Sequence, residues 1–177
     1  MGDLQRMLSV FFNVPITVRR VYVSPTPSPR PIPSPSNPIV QNRRVHLLTA
    51  PKSLVGESDA SEGGSCLHQR VVCVATSVVR ITSEPAAQRF LDERYAIGQV
   101  FRILGRVADF HLLEVETGQG NGSIGKPGKE YLKRKYLLKT EGFECEIVEV
   151  FVDREMFSMN NQEWLATPDD FIDTDLN

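Results

Sequence analysis

Two runs near the C-terminal end, EYLKRKYLLK (130–139) and FECEIVEVFV (143–152), flank a Thr140-Glu141-Gly142 turn. Side chains alternate faces along a strand, and two such runs about a Gly turn read as a β-hairpin. On the second run Phe143, Cys145, Ile147 and Phe151 share one face, with Glu144 and Glu146 on the other. A strand with one apolar face has to bury it against another layer. Glu149 falls on the apolar face. Three explanations are open. The residue lies at a frayed strand end, it pairs with a structural arginine, or it serves as a proton donor in a ligand pocket.

The rest of the chain supplies the remaining strands and the covering helices. DLQRMLSVFF has apolar residues at Leu4, Met7, Leu8, Phe11 and Phe12, which is helical spacing, with Asp3 as its cap and Pro15 closing it. ITVRRVYV (16–23) and IVQNRRVHLLTA (39–50) read as β-branched strands. QRVVCVATSVV (69–79) is almost continuously apolar, as in a strand covered on both faces near the middle of a sheet. EPAAQRFLDER (84–94) predicts a short helix with Ser83 as N-cap, and IGQVFRIL (97–104) a second ending at Gly105. DFHLLEVE (109–116) is a sixth strand. The expected class is α+β, a six-stranded antiparallel sheet with few flanking helices. The expected domain covers residues 1–157, and the polar, acidic residues 158–177 are expected to form a loosely held tail.

Two segments interrupt this pattern. Residues 24–38, SPTPSPRPIPSPSNP, hold seven of the 12 prolines. Such a run predicts an extended polyproline-like tether. It reads as a surface insertion between strands or as a docking segment for an SH3 or WW module. Residues 51–68, PKSLVGESDASEGGSCLH, read as a flexible polar hairpin loop.

At 41% hydrophobic and 24% charged residues, the composition is that of an ordinary water-borne domain. A net charge of -2 offers no global field for nucleic acid, and no apolar run approaches the roughly 18 residues of a membrane span. Neither partner is expected. Three cysteines (Cys66, Cys73 and Cys145), without C-x-x-C, argue against a disulfide framework or a zinc site and fit a reducing, cytoplasmic compartment. His46, His68 and His111 are scattered, so no metal ligand set is expected. GQGNGSIGKPG lacks the phosphate-loop pattern, because Pro127 follows Lys126, and reads as a mobile loop between strands. Lys133-Arg134-Lys135 splits between the faces of its strand and reads as a solvated edge. Arg43-Arg44 places one arginine on each face, and the inward one needs an anion, because a buried unpaired guanidinium is costly.

The order of these pieces resembles the chorismate lyase (chorismate pyruvate-lyase) family from about residue 2 to 157. AIGQVFR (96–102) resembles the family's Leu-Gly helix start, and RKYLLKTEGFECEIVEVFVDREMF resembles its closing hairpin. RRVHLL (43–48) resembles its Arg-x-x-Leu-Leu strand, and GDLQRMLSVFF, in weaker form, its N-terminal helix. The resemblance implies an antiparallel sheet with a small-molecule pocket beneath helical flaps. It implies elimination of pyruvate from chorismate to give 4-hydroxybenzoate, without metal or organic cofactor. Carried over, Glu149 is the pocket glutamate, Arg44 holds a substrate carboxylate, Ile97 contacts the ligand through its backbone, and Gln5 lies near an N-terminal contact position. Thr76 and Arg80 stand where the family tends to have arginine and proline. The alternative is therefore a non-catalytic binding protein for a small aromatic carboxylic acid.

Overall fold

The computed structural model describes residues 2–49, 69–105 and 107–167. The expected loop 51–68, with Cys66 and His68, lies outside them, as do residues 168–177 of the expected tail. Six strands form one antiparallel sheet: β1 (Ile16–Val23), β2 (Ile39–Thr49), β3 (Val71–Ile81), β4 (Asp109–Gln119), β5 (Glu130–Thr140) and β6 (Phe143–Phe151). The order across the sheet is β1-β2-β3-β6-β5-β4. The apolar strand β3 thus lies near the middle as expected, but it is covered on both faces only over its first half, since Thr76, Val78 and Arg80 are exposed. Among the described residues no helix is long and apolar enough to cross a membrane.

The β5–β6 hairpin turns at Glu141-Gly142 with Thr140 opposite Phe143. Gly142 has φ +81°, and a Cβ there would collide with the Ser83 side chain, so both backbone freedom and space call for glycine. Ser83 occupies the N-cap position of α2 (Glu84–Ala87) but makes no side-chain capping bond. This helix runs on as one wide π-helical turn, Gln88–Asp92. α3 (Ile97–Ile103) follows, its start fixed by the Gln99 side chain accepting from the Ala96 N–H at 2.9 Å. α1 begins at Gly2, one residue before the expected cap, and ends at Phe12.

All these helices lie on one side of the sheet. α1 buries Leu4, Leu8 and Phe12 against Val45, Leu47, Ala75 and Phe151. α2, the wide turn and α3 bury Ala87, Phe90, Val100 and Phe101 against Ile39, Val79, Cys145 and Ile147. A smaller cluster, Leu48, Val71, Val74 and Val152, packs separately, with Leu48 and Val74 on the reverse face by alternation. Burial of two adjacent residues such as Leu47 and Leu48 follows from having cover on both sides at that end of the sheet.

Two expectations are corrected and a third is filled in. Residues after Phe157 are not uniformly loose. A short 3-10 turn, Arg154–Phe157, leads into α4 (Asn161–Ala166), capped by Asn160 and burying Trp164 and Leu165. Trp164 stacks on Phe12 with centroids 5.3 Å apart, lies under the Arg70 guanidinium at 3.7 Å, and donates to Asp153 at 3.0 Å. The C-terminal helix therefore fastens α1 to the sheet. The proline run lies between β1 and β2, as an insertion between strands should, and is held at several points. Arg30 bonds Glu84 and reaches Asp92 at 3.3 Å, Arg80 donates to the Pro35 carbonyl, and Pro33 is buried. The glycine-rich stretch is likewise tied down, with the Gly120 N–H on the Lys129 carbonyl at 2.7 Å and the Lys126 N–H on the Val152 carbonyl at 2.9 Å.

Candidate functional site

Strand register decides which side chains meet beneath the helices. On β2, Val45 and Leu47 face α1 and Ile39 faces α3, so Arg43 and Gln41 share that side by alternation. Arg44 points to the reverse face. On β6 the same reasoning brings Glu149 to the covered side with Phe143, Cys145, Ile147 and Phe151. One cross-strand row on this side reads Arg20, Val45, Ala75, Glu149, Arg134, from β1 to β5.

Glu149 is fully buried. One carboxylate oxygen accepts from Arg134 Nε at 2.5 Å and the other from the Tyr136 hydroxyl at 2.7 Å. Of the three explanations for a carboxylate here, pairing with an arginine is the one observed. Arg134 faces inward from the basic strand, with its guanidinium 5.4 Å from the Tyr136 ring and 5.6 Å from the Phe151 ring. Its neighbours Lys133 and Lys135 do lie outward, paired with Glu114, Glu116 and Glu146. Burial, and then the Glu149 charge, push the Tyr136 phenol well above its ordinary range, so it stays a donor.

A cavity of about 660 Å³ opens between α1, β1, β2 and the start of α3. Its lining includes Gln5, Val18, Val45 and Ile97, and five arginines: Arg6, Arg20, Arg43, Arg94 and Arg102. No carboxylate lines it. Among the described residues none of the five guanidiniums is ion-paired. Arg43 is the deepest of them, half-buried with its Nε shut away from water and without a hydrogen-bond partner among the described residues. Its guanidinium lies 4.8 Å from the Phe90 ring. Burial, and then the nearby Arg20 charge, lower its pKa from the ordinary arginine value. Both causes disfavour a cation, and an anion beside it would relieve both.

The expected site residues are thus divided. Gln5 and Ile97 line the arginine cavity. Gln5 is also structural there, since its amide donates to the Ile16 carbonyl at 2.6 Å while Ser9 accepts from the Ile16 N–H. Glu149 shares the covered face but is not part of the cavity lining. It lies two strands from Val45, with only the small Ala75 between them, a span of about 10 Å. Arg44 does not join the others. It lines a separate hollow of about 540 Å³ on the reverse face with Asn42, Thr76 and Glu146. The inward arginine of the pair, the one whose burial calls for an anion, is Arg43.

No protein-family model matches the chain, and no curated protein matches it.

Three important residues went unassigned at the sequence level. Arg134 was within reach, because counting outward from the Thr140–Phe143 pair puts 134 opposite 149. Tyr136 lies two residues along the same face. Arg20 has no tight turn beside it to fix its cross-strand partner. Its face follows only from alternation with Ile16 and Val18, and the bulge that ends this register lies beyond it, between Arg20 and Tyr22. Among the described residues no cluster of three His, Cys, Asp or Glu side chains could hold a metal ion.

Proposed function

We propose that this chain binds a small aromatic carboxylic acid of the chorismate and 4-hydroxybenzoate type in the arginine-lined cavity. The observation that carries the reading is the half-buried Arg43, cationic and without an anionic partner among the described residues. A ligand carboxylate would meet its guanidinium fork as a charge-assisted pair. The apolar wall of Val18, Val45 and Ile97 suits a ring. Heat-unfolding of the purified protein with added 4-hydroxybenzoate tests binding. A raised midpoint that disappears in Arg43→Met supports it, and an unmoved midpoint contradicts it.

The second reading is chorismate pyruvate-lyase activity. It is favoured by the place of Glu149, on the covered face and one small side chain beyond the cavity wall. In this reading Arg43 and Arg20 hold chorismate by its carboxylates. Orientation of the enolpyruvyl group does most of the work, and aromatisation of the ring supplies driving force. Glu149 would accept a hydrogen bond from the ring hydroxyl, once Arg134 or Tyr136 yields an oxygen to it. Chorismate incubated with the protein, with products followed by chromatography, tests this. Equal release of 4-hydroxybenzoate and pyruvate, lost in Arg43→Met, supports the lyase. Binding without release leaves a non-catalytic binder.

A further inference from the structure

The charge in the cavity exceeds what one carboxylate can neutralise. Arg43 and Arg20 are close enough at the floor for each to oppose the other's charge. Arg6 on α1 and Arg102 on α3 stand exposed around the same space, and no acidic side chain lines it. A chain with a net charge of -2 has gathered five cations about one opening. Like charges brought together without counter-charge cost free energy, and a multiply charged anion recovers it. A volume of about 660 Å³ also leaves room beyond a single ring carrying one carboxylate.

We infer that the natural ligand carries a phosphate group as well as a carboxylate, with the carboxylate at Arg43 and Arg20 and the phosphate held at the rim by Arg6 and Arg102. This rests on the aromatic-acid reading of the cavity and adds a second anchoring point to it. Guanidinium forks match phosphate oxygens in pairs, and a phosphate brings up to two charges near neutral pH. The rim arginines sit on two different helices. A phosphate between them would draw α1 and α3 together over the ligand.

The test is calorimetric titration, at about 0.15 M salt, of two probes that differ by one group: 4-hydroxybenzoate and its phosphate ester, 4-carboxyphenyl phosphate. The ester is expected to bind about tenfold or more tightly. In the double variant Arg6→Ala, Arg102→Ala that gain should vanish while 4-hydroxybenzoate binding is kept. Both replaced residues are exposed, so the variant is expected to fold. Equal affinity for the two probes overturns the phosphate site and leaves the aromatic-acid reading standing. A gain that survives in the double variant also overturns it, because the phosphate is then held elsewhere. Failure of both probes to bind overturns both readings.

Discussion

Arg134 and Arg43 lie on the same covered face of one sheet, and their surroundings are opposite. Arg134 meets a buried carboxylate at 2.5 Å whose other oxygen is taken by Tyr136. Arg43 meets a phenyl ring and another arginine, with a buried Nε that has no partner among the described residues. The first arrangement closes on itself and needs nothing from outside. The second is incomplete as it stands. The difference separates a buried charge whose partners lie within the fold from one that, in the function proposed above, a ligand would complete.

The largest expected effect comes from breaking the completed side. Glu149→Ala leaves the Tyr136 hydroxyl and the Arg134 guanidinium without their acceptor and should cost about 2–4 kcal/mol in urea unfolding. Arg134 keeps some contact with water, which holds the cost below that of a fully buried pair. A cost below about 1 kcal/mol would show that this cluster is not the structural one.

Alkaline pH should act on the same side. The Cys145 thiol is pushed up by burial from 9.0 to about 12, and the Tyr136 phenol is raised from 10.0. Both are protonated in the fold and ionise earlier in the unfolded chain. Their contribution is therefore complete below about pH 9 and is lost as pH rises toward 12, at about 1.4 kcal/mol per pH unit for each group. Unfolding free energy measured from pH 8 to 11 should fall, and less steeply in Tyr136→Phe. A flat profile would contradict the burial of these groups. Arg43→Met should leave the slope unchanged.

On the incomplete side, Arg43→Met removes a cation that burial and Arg20 both oppose. Without ligand it should leave stability equal or raised by up to about 1 kcal/mol. A loss as large as that of Glu149→Ala would erase the contrast between the two arginines. The smallest effect is expected at Arg30→Ala, where the lost pairs with Glu84 and Asp92 are exposed. The unfolding midpoint should barely move, while proteolysis within residues 24–38 speeds up. An unchanged cleavage rate would mean that the other contacts of this run suffice.

The hairpin was the most legible part of the molecule. Its alternation placed Glu149 on the covered face, and its turn fixes the partner of every residue on β6. The arginine pair was less legible. Around NRRVHLL the buried set runs through Val45, His46, Leu47 and Leu48 without alternating, because the sheet is covered on both sides there. Periodicity then cannot say which arginine faces the helices. Helix α4 was hidden for another reason, since Trp164 and Leu165 are adjacent apolar residues without a repeating helical spacing in a polar, acidic segment. The anchoring of the proline run depends on Arg30 finding carboxylates 54 and 62 residues away, which no local pattern signals.

The most direct measurement is calorimetric titration of 4-hydroxybenzoate into the wild-type protein, Arg43→Met and Arg44→Met, side by side. Binding that is lost in Arg43→Met and kept in Arg44→Met is the predicted result, because only Arg43 faces the helix-covered cavity. Binding that survives Arg43→Met and fails in Arg44→Met would put the site on the reverse face of the sheet and contradict the assignment.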